Sequence, residues 1–269
     1  MSRPSRDQQR AQARAEREAA ERAAQQQAQR KKRLVQLGGI LAAVAVVAVV
    51  VIVAIGGGSN DSSSPTNAGT VSTTGDAALN AQAEINDRLS GIPQSGVTLG
   101  RKDAPITIIE FGDLQCPACA IASQQVLPSV IDDYVRPGKA KLELRDIHFL
   151  GPDSERLARF GAAASEQGKL WNVAELVWAN QGQENSGYAT DAYLRAIGNG
   201  VPGLDVQAAL ATRTSGTVRQ QLAEAKTLAR INGVNSTPTF LVGTGDGPLK
   251  TVGADALVSE LQQLSAGQS

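Results

Sequence analysis

The chain has two cysteines, Cys116 and Cys119, set three apart in the stretch FGDLQCPACA at positions 111–120. Two sulfurs at this spacing serve a structural disulfide, a thiolate metal site or reversible thiol–disulfide exchange. A bridge closing four residues is a weak staple, worth ~2 kcal/mol in the loop-entropy estimate against ~4.7 kcal/mol for a loop of a hundred. Structural zinc takes four Cys or His ligands, and the chain adds to its two cysteines a single histidine, His148. A copper site of two thiolates and a methionine finds Met1 alone. Exchange chemistry suits the pair best and requires no metal or cofactor beyond a redox-active Cys116–Cys119 disulfide.

The elements around the pair support that choice. Pro105 leads into Ile106-Thr107-Ile108-Ile109-Glu110-Phe111, a β-branched run that reads as a buried strand. After the cysteines, Ile121, Val126, Val130 and Val135 recur as the apolar face of a long helix, which Pro128 should kink or interrupt. Cys116 then stands at a helix start, where unpaired amides and the positive dipole end stabilise a thiolate. Cys116 is therefore the expected nucleophile and Cys119, one turn on and less exposed, the resolving thiol. Pro117 suits the first turn, where its missing N–H costs nothing.

Further along, Lys141 to Arg145 alternates as a strand, and residues 154 to 232 turn helical. Leu157, Phe160 and Ala164 share one face there, as do Leu170, Val173 and Val177, then Val218, Leu222, Ala225 and Ala229. Trp171 and Trp178 read as core, and Gly233 as a helix stop. Thr239 to Val242 and Leu249 to Val252 flank a GTGDG turn as a hairpin, and Leu257, Leu261 and Leu264 mark a closing helix. A short helix carrying Ala78, Ala81, Ile85 and Leu89 precedes Gly91. The pattern is one α/β domain with a helical insertion.

The charge total of 26 basic and 26 acidic residues hides an asymmetry. Residues 1–33 hold ten Lys or Arg against four acids, a net +6, which leaves the rest at −6. An acidic body argues against nucleic acid as a partner. Leu34 to Ile55 is an uncharged run of 22 residues; at ~1.5 Å each it spans roughly 33 Å as a helix, about the thickness of a bilayer's hydrocarbon. Arg30-Lys31-Lys32-Arg33 before it places the N-terminus in the cytoplasm. A cleaved signal peptide, cut near Ala54 or Gly56, is the competing reading; the long apolar run and the 33 residues before it favour an uncleaved anchor. The expected organisation is a basic cytoplasmic tail (1–33), a transmembrane helix (34–55), a Gly/Ser/Thr linker (56–75) and an extracytoplasmic domain (76–269) in an oxidising compartment.

In this setting the chain resembles the DsbA-like branch of the thioredoxin superfamily from Ile92 to about Leu264. The resemblance rests on Leu99-Gly100 with Asp103-Ala104-Pro105, on Glu110-Phe111 before Cys116-Pro117-Ala118-Cys119, on Glu166 to Trp171 in the insertion, and on Ser236-Thr237-Pro238-Thr239-Phe240. It implies a thioredoxin-like fold with an inserted helical domain. It also implies a cis bond before Pro238, with Thr237 and Pro238 facing the cysteines and pairing with substrate, and a buried Glu110 that moves a proton for Cys119. Asp113 is the weaker acid candidate, a loop residue, and a solvent-facing Glu110 is the plain alternative. Pro117-Ala118 departs from the histidine-containing dipeptide of strong oxidants in this family, which implies a less depressed Cys116 pKa and leaves the direction of electron flow open. His148, after a strand, reads as structural or superficial, and Asn235-Ser236-Thr237 as a chance glycosylation sequon. The function expected is an extracytoplasmic, membrane-anchored protein disulfide oxidoreductase, foremost an oxidase. Exported protein thiols are its substrates and a membrane redox partner recycles it. A reductase or isomerase of the same fold is the alternative, and a tethered binding module with a passive disulfide is the non-enzymatic one.

Overall fold

The structure, a computed structural model, describes residues 79–245 and 247–267. The tail, apolar run and linker expected over 1–75 lie outside the described residues; among those, no helix is long and apolar enough to cross a membrane. Six strands form one sheet in the order β1-β2-β4-β3-β5-β6: β1 (Gln94–Ser95), β2 (Thr98–Leu99), β3 (Ile106–Gly112), β4 (Ala140–Asp146), β5 (Thr239–Thr244) and β6 (Lys250–Val252). β3 lies in the middle, parallel to β4 and antiparallel to β5, and is buried along almost its whole length. That double burial is why its sequence is nearly all β-branched or aromatic rather than alternating. The one acid in it, Glu110, pairs in register with Leu144 on one side and Phe240 on the other.

The nine described helices are α1 (Gln82–Leu89), α2 (Pro117–Gln125), α3 (Leu127–Val130), α4 (Pro152–Ser165), α5 (Leu170–Ala179), α6 (Asp191–Asn199), α7 (Val206–Thr212), α8 (Gly216–Ile231) and α9 (Leu257–Ala266). Side-chain caps start α6, α7 and α8, where Thr190, Asp205 and Ser215 accept from the backbone N–H three residues on; each such cap stabilises its helix by about 1 kcal/mol. Gly233 stops α8 in the left-handed region at φ 66°, and the Val234 N–H reaches the Ala229 carbonyl in 2.9 Å. The helices α4 to α8 lie between β4 and β5 in the chain. Their apolar faces, with Leu157, Phe160, Trp171 and Trp178, join the core that also holds Ile106, Ile108, Cys116 and Cys119. A smaller cluster of Ile109, Phe111, Ile147, Ala229 and Leu241 fills the opposite face of the sheet.

The interruption expected near Pro128 is present: α2 ends at Gln125, and Val126, at φ −114°, separates it from α3. A π-helical turn over Ile131–Val135 follows. The interruption precedes Pro128 because the proline occupies the second position of α3, where no intrahelical donor is needed. Ile121 does not face the core but is 56% exposed. The buried arc of α2 runs through Cys119, Ala122 and Ser123, and a residue two positions from Cys119 points away from that arc. Lastly, the β1–β2 hairpin, which turns at Gly96 with φ 58°, adds two strands that the periodicity does not announce.

Candidate active site

β3 delivers the chain to the cysteines through a loop held at both ends. Asp113 follows the strand directly and is fully buried. Its Oδ1 accepts from the Gln115 N–H at 2.8 Å; Oδ2 accepts from the N–H groups of Phe149 and Leu150 and, at 2.6 Å, from the Ser154 hydroxyl. Its carbonyl accepts from Cys116 N–H at 3.0 Å and from the Trp178 indole at 3.2 Å. The reactive loop is thereby tied to the start of α4 and to α5. Asp113 is the loop residue that the sequence suggests, and its hydrogen bonds organise that loop.

Cys116 caps α2. Its Sγ accepts from the Cys119 N–H at 3.4 Å and lies 3.5 Å from the Thr237 carbonyl, to which its thiol donates. That contact puts the sequence-distant Thr237 beside the nucleophile candidate, and the Thr237–Pro238 peptide bond is cis. Pro117 and Ala118 form the first turn of α2 between the two sulfurs and are exposed. The Cys119 thiol, donating to Cys116, brings the Cys116 pKa down to about 6, against burial that opposes it and with further help from the Thr237 side chain and the Ala118 and Cys119 amides. Cys119 is fully buried. Burial pushes its pKa up, as do the bond it gives Cys116 and the nearby Glu110.

Glu110 faces this pair from inside the sheet, on the side of β3 that carries Ile106 and Ile108. Both its oxygens are buried without a partner. Burial first, then the Glu175 and Cys116 charges, hold its carboxyl well above the usual range. The solvent-facing alternative for Glu110 does not survive. His148 does not join the cysteines: its N–H donates to Asp146 Oδ1 at 2.9 Å, and burial lowers its pKa. Trp171 and Trp178 are core, with indole N–H groups on the Val97 and Asp113 carbonyls.

Two residues of this region escape a reading by sequence alone. Gln181 Nε2 donates to the carbonyls of Leu114 at 2.9 Å and Cys116 at 3.2 Å, bracing the approach to α2. Glu175, on α5, is buried and accepts from the Ser123 hydroxyl at 2.9 Å. Burial raises its pKa to about 7. The one sequence signal for Glu175 is a lone acid inside the apolar run Leu170 to Ala179.

Comparison with known proteins agrees with this geometry. A sequence model of the thioredoxin family matches residues 93–246. The "Probable disulfide bond formation protein D" of Bacillus cereus is 34% identical over 113 residues, which cover 41% of this chain and 52% of that one, so the match spans about half of the relative. The "Disulfide bond formation protein D" of Bacillus subtilis is 25% identical over 171 residues, covering 61% and 75%. The crystal structure of oxidised BdbD from Bacillus subtilis superposes with a TM-score of 0.55 at 20% identity, over 64% of this chain and 96% of that one, a likeness of fold. With the cysteine pair capping α2, the sheet order and the helices inserted before β5, the chain belongs to the thioredoxin family, in its DsbA-like branch.

Proposed function

We propose that the chain is an extracytoplasmic thiol–disulfide oxidoreductase that forms disulfides in exported proteins through Cys116-Pro117-Ala118-Cys119. The observation that carries the reading is the division of labour between the two sulfurs. Cys116 keeps 6% of its surface exposed with its pKa down to about 6, while Cys119 is fully buried and pushed up. A low-pKa sulfur is a good leaving group.

In the oxidase direction a substrate thiolate attacks Cys116 of the Cys116–Cys119 disulfide. The S–S bond breaks, a mixed disulfide forms on Cys116, and Cys119 leaves as a thiolate that takes a proton from Glu110. A second substrate thiolate then attacks the mixed disulfide at the substrate sulfur. The substrate is oxidised by two electrons and the enzyme is left as a dithiol. Thr237 and Pro238 hold the substrate backbone beside Cys116 by strand-like pairing. A membrane redox partner reoxidises the dithiol, and residues 34–55 anchor the domain with its N-terminus in the cytoplasm. The name of the Bacillus subtilis relative, a disulfide bond formation protein, supports the direction.

Replacing Cys119 with Ser tests the activity: proteins linked to Cys116 should accumulate as adducts that reductant releases. Absence of adducts while partners are being exported would leave only a passive disulfide. Direction is tested by the reduction potential. A Cys116 pKa of about 6 falls between the ~7 of thioredoxin and the ~3.5 of DsbA, so the potential should fall between ~−270 and ~−120 mV. A value at the lower limit would turn the reading to a reductase.

A further inference from the structure

We propose that Gln181 is a positioning residue for Cys116: by binding the carbonyls of Leu114 and Cys116 together, it holds the helix cap in which the outer sulfur ionises. The inference rests on reading Cys116 and Cys119 as an exchange centre, and it gives a residue of the insertion control over that centre.

The need for such a residue follows from the way Cys116 is stabilised. Hydrogen bonds lower its pKa: the Cys119 thiol first, then Thr237 and the Cys119 and Ala118 amides. The ionisable groups facing it are Glu110 of β3 and Cys119 of α2, neither of them a cation. The segment that carries Gln181 adds Glu184, an exposed acid. A thiolate held by hydrogen bonds depends on the placing of its donors. Here the Cys119 N–H reaches Sγ at 3.4 Å while Cys116 keeps an extended cap conformation, φ −72° and ψ 120°.

Three consecutive peptide units set that conformation, and each is tied down. The middle one, between Gln115 and Cys116, donates its N–H to the Asp113 carbonyl at 3.0 Å. The outer two present the Leu114 and Cys116 carbonyls to one nitrogen, Gln181 Nε2, at 2.9 and 3.2 Å. A side-chain amide nitrogen carries two hydrogens, so both find acceptors. Leu114 and Cys116 are buried, and carbonyls so enclosed require partners. The Cys116 carbonyl also accepts the Ala120 N–H at 3.1 Å, the bond that begins α2.

Gln181 itself stands on a fixed base. Asn180, just before it, is buried; its Nδ2 donates to the Leu176 carbonyl at 2.8 Å, and its carbonyl accepts from the Tyr193 hydroxyl at 3.0 Å. Without the Gln181 amide, the peptide unit after Cys116 loses one of its two restraints. The bond from the Cys119 N–H to Sγ then loosens, the thiolate loses ground to the thiol, and the dithiol loses ground to the disulfide. Gln181 acts through the Cys116 backbone rather than through either sulfur.

The test uses the full-length chain. Gln181→Met keeps the side chain's length and removes both N–H donors without adding a charge. The inflection of iodoacetamide labelling of Cys116 in the reduced protein should rise by about one pH unit, the scale of one hydrogen bond to a charged group. Titration against glutathione at pH 8 should find the disulfide about tenfold harder to reduce, a potential ~30 mV lower. Gln181→Asn, one methylene shorter, should give a smaller rise of the same sign. Ser165→Ala removes hydroxyl bonds to the Ala162 carbonyl and Gln221 elsewhere in the insertion; it should lower the urea midpoint and leave the inflection in place. An unmoved Gln181→Met inflection, a potential that rises, or a Ser165→Ala inflection that shifts as far would overturn the inference. If Gln181→Met does not fold, the Gln181→Asn inflection decides alone. Adduct trapping by Cys119→Ser separates the two levels. Adducts with an unmoved Gln181→Met inflection remove only the role of Gln181, while no adducts at all remove the exchange reading beneath it.

Discussion

Cys116 and Cys119 sit one helical turn apart, yet their environments push their acidities in opposite directions. The cause is direct: the outer sulfur accepts hydrogen bonds at a helix start, and the inner one is enclosed and faces a carboxyl group. Alkylation of the reduced protein should therefore follow a single thiol with an inflection near pH 6, measured by iodoacetamide labelling, and Cys116→Ser should abolish it. Ala118 adds nothing to that stabilisation beyond its backbone amide. Ala118→His places an imidazole donor within the first turn of α2. The Cys116 pKa should drop by about one unit and the potential should rise by on the order of 30 mV, the two-electron equivalent of a tenfold change. Redox titration against glutathione reads that rise, and a potential that falls would refute the assignment of Cys116 as the leaving sulfur.

The elements owe their positions to a mix of patterned and unpatterned sequence. Removing Asp113 tests the unpatterned part. Asp113→Ala strips the partner from three backbone N–H groups and the Ser154 hydroxyl in a buried site. At ~1–3 kcal/mol for each group left unsatisfied, the loss should be on the order of 4 kcal/mol, read as a lower urea midpoint. Strand β3, the helices of the insertion and the closing hairpin are legible because their burial has a period that residue types reveal: β-branched runs for a doubly buried strand, three-and-four spacing for helices. The β1–β2 hairpin is not, since two-residue strands carry no alternation. The exposure of Ile121 is hidden for a related reason: which arc of α2 turns inward is decided by Cys119, Ala122 and Ser123, whose small side chains give no hydrophobic signal. Cys116, Cys119 and Glu110 stand out because their types are rare in their surroundings. Gln181, an ordinary polar residue in a loop, acquires its place from the carbonyls of Leu114 and Cys116 that the fold brings to it.

For the molecule as a whole, three buried carboxyl groups, Glu110, Asp146 and Glu175, share one consequence. Each is held above its ordinary pKa, burial being the first cause in every case. A carboxyl whose folded pKa is raised contributes stability that is complete below its unfolded value and is lost as pH rises through the folded one. For Glu175 that window runs from 4.5 to about 7, worth on the order of 3 kcal/mol at 1.36 kcal/mol per unit. Urea midpoints of the reduced domain should thus fall between pH 5 and pH 8, and Glu175→Gln should flatten that slope and be the more stable protein at pH 8. A parent whose stability climbs over this range would contradict the burial of these groups. The bonds around Asp113 carry a different consequence, one for engineering. Asp113 is held by Ser154 and backbed at its carbonyl by Trp178, while Gln181 grips the residues on either side of Gln115. All three donors belong to the helical insertion between β4 and β5. The guest has become a support of the host's reactive loop, so a minimal version made by splicing out residues 152–231 would keep both cysteines and lose the framework that sets their difference.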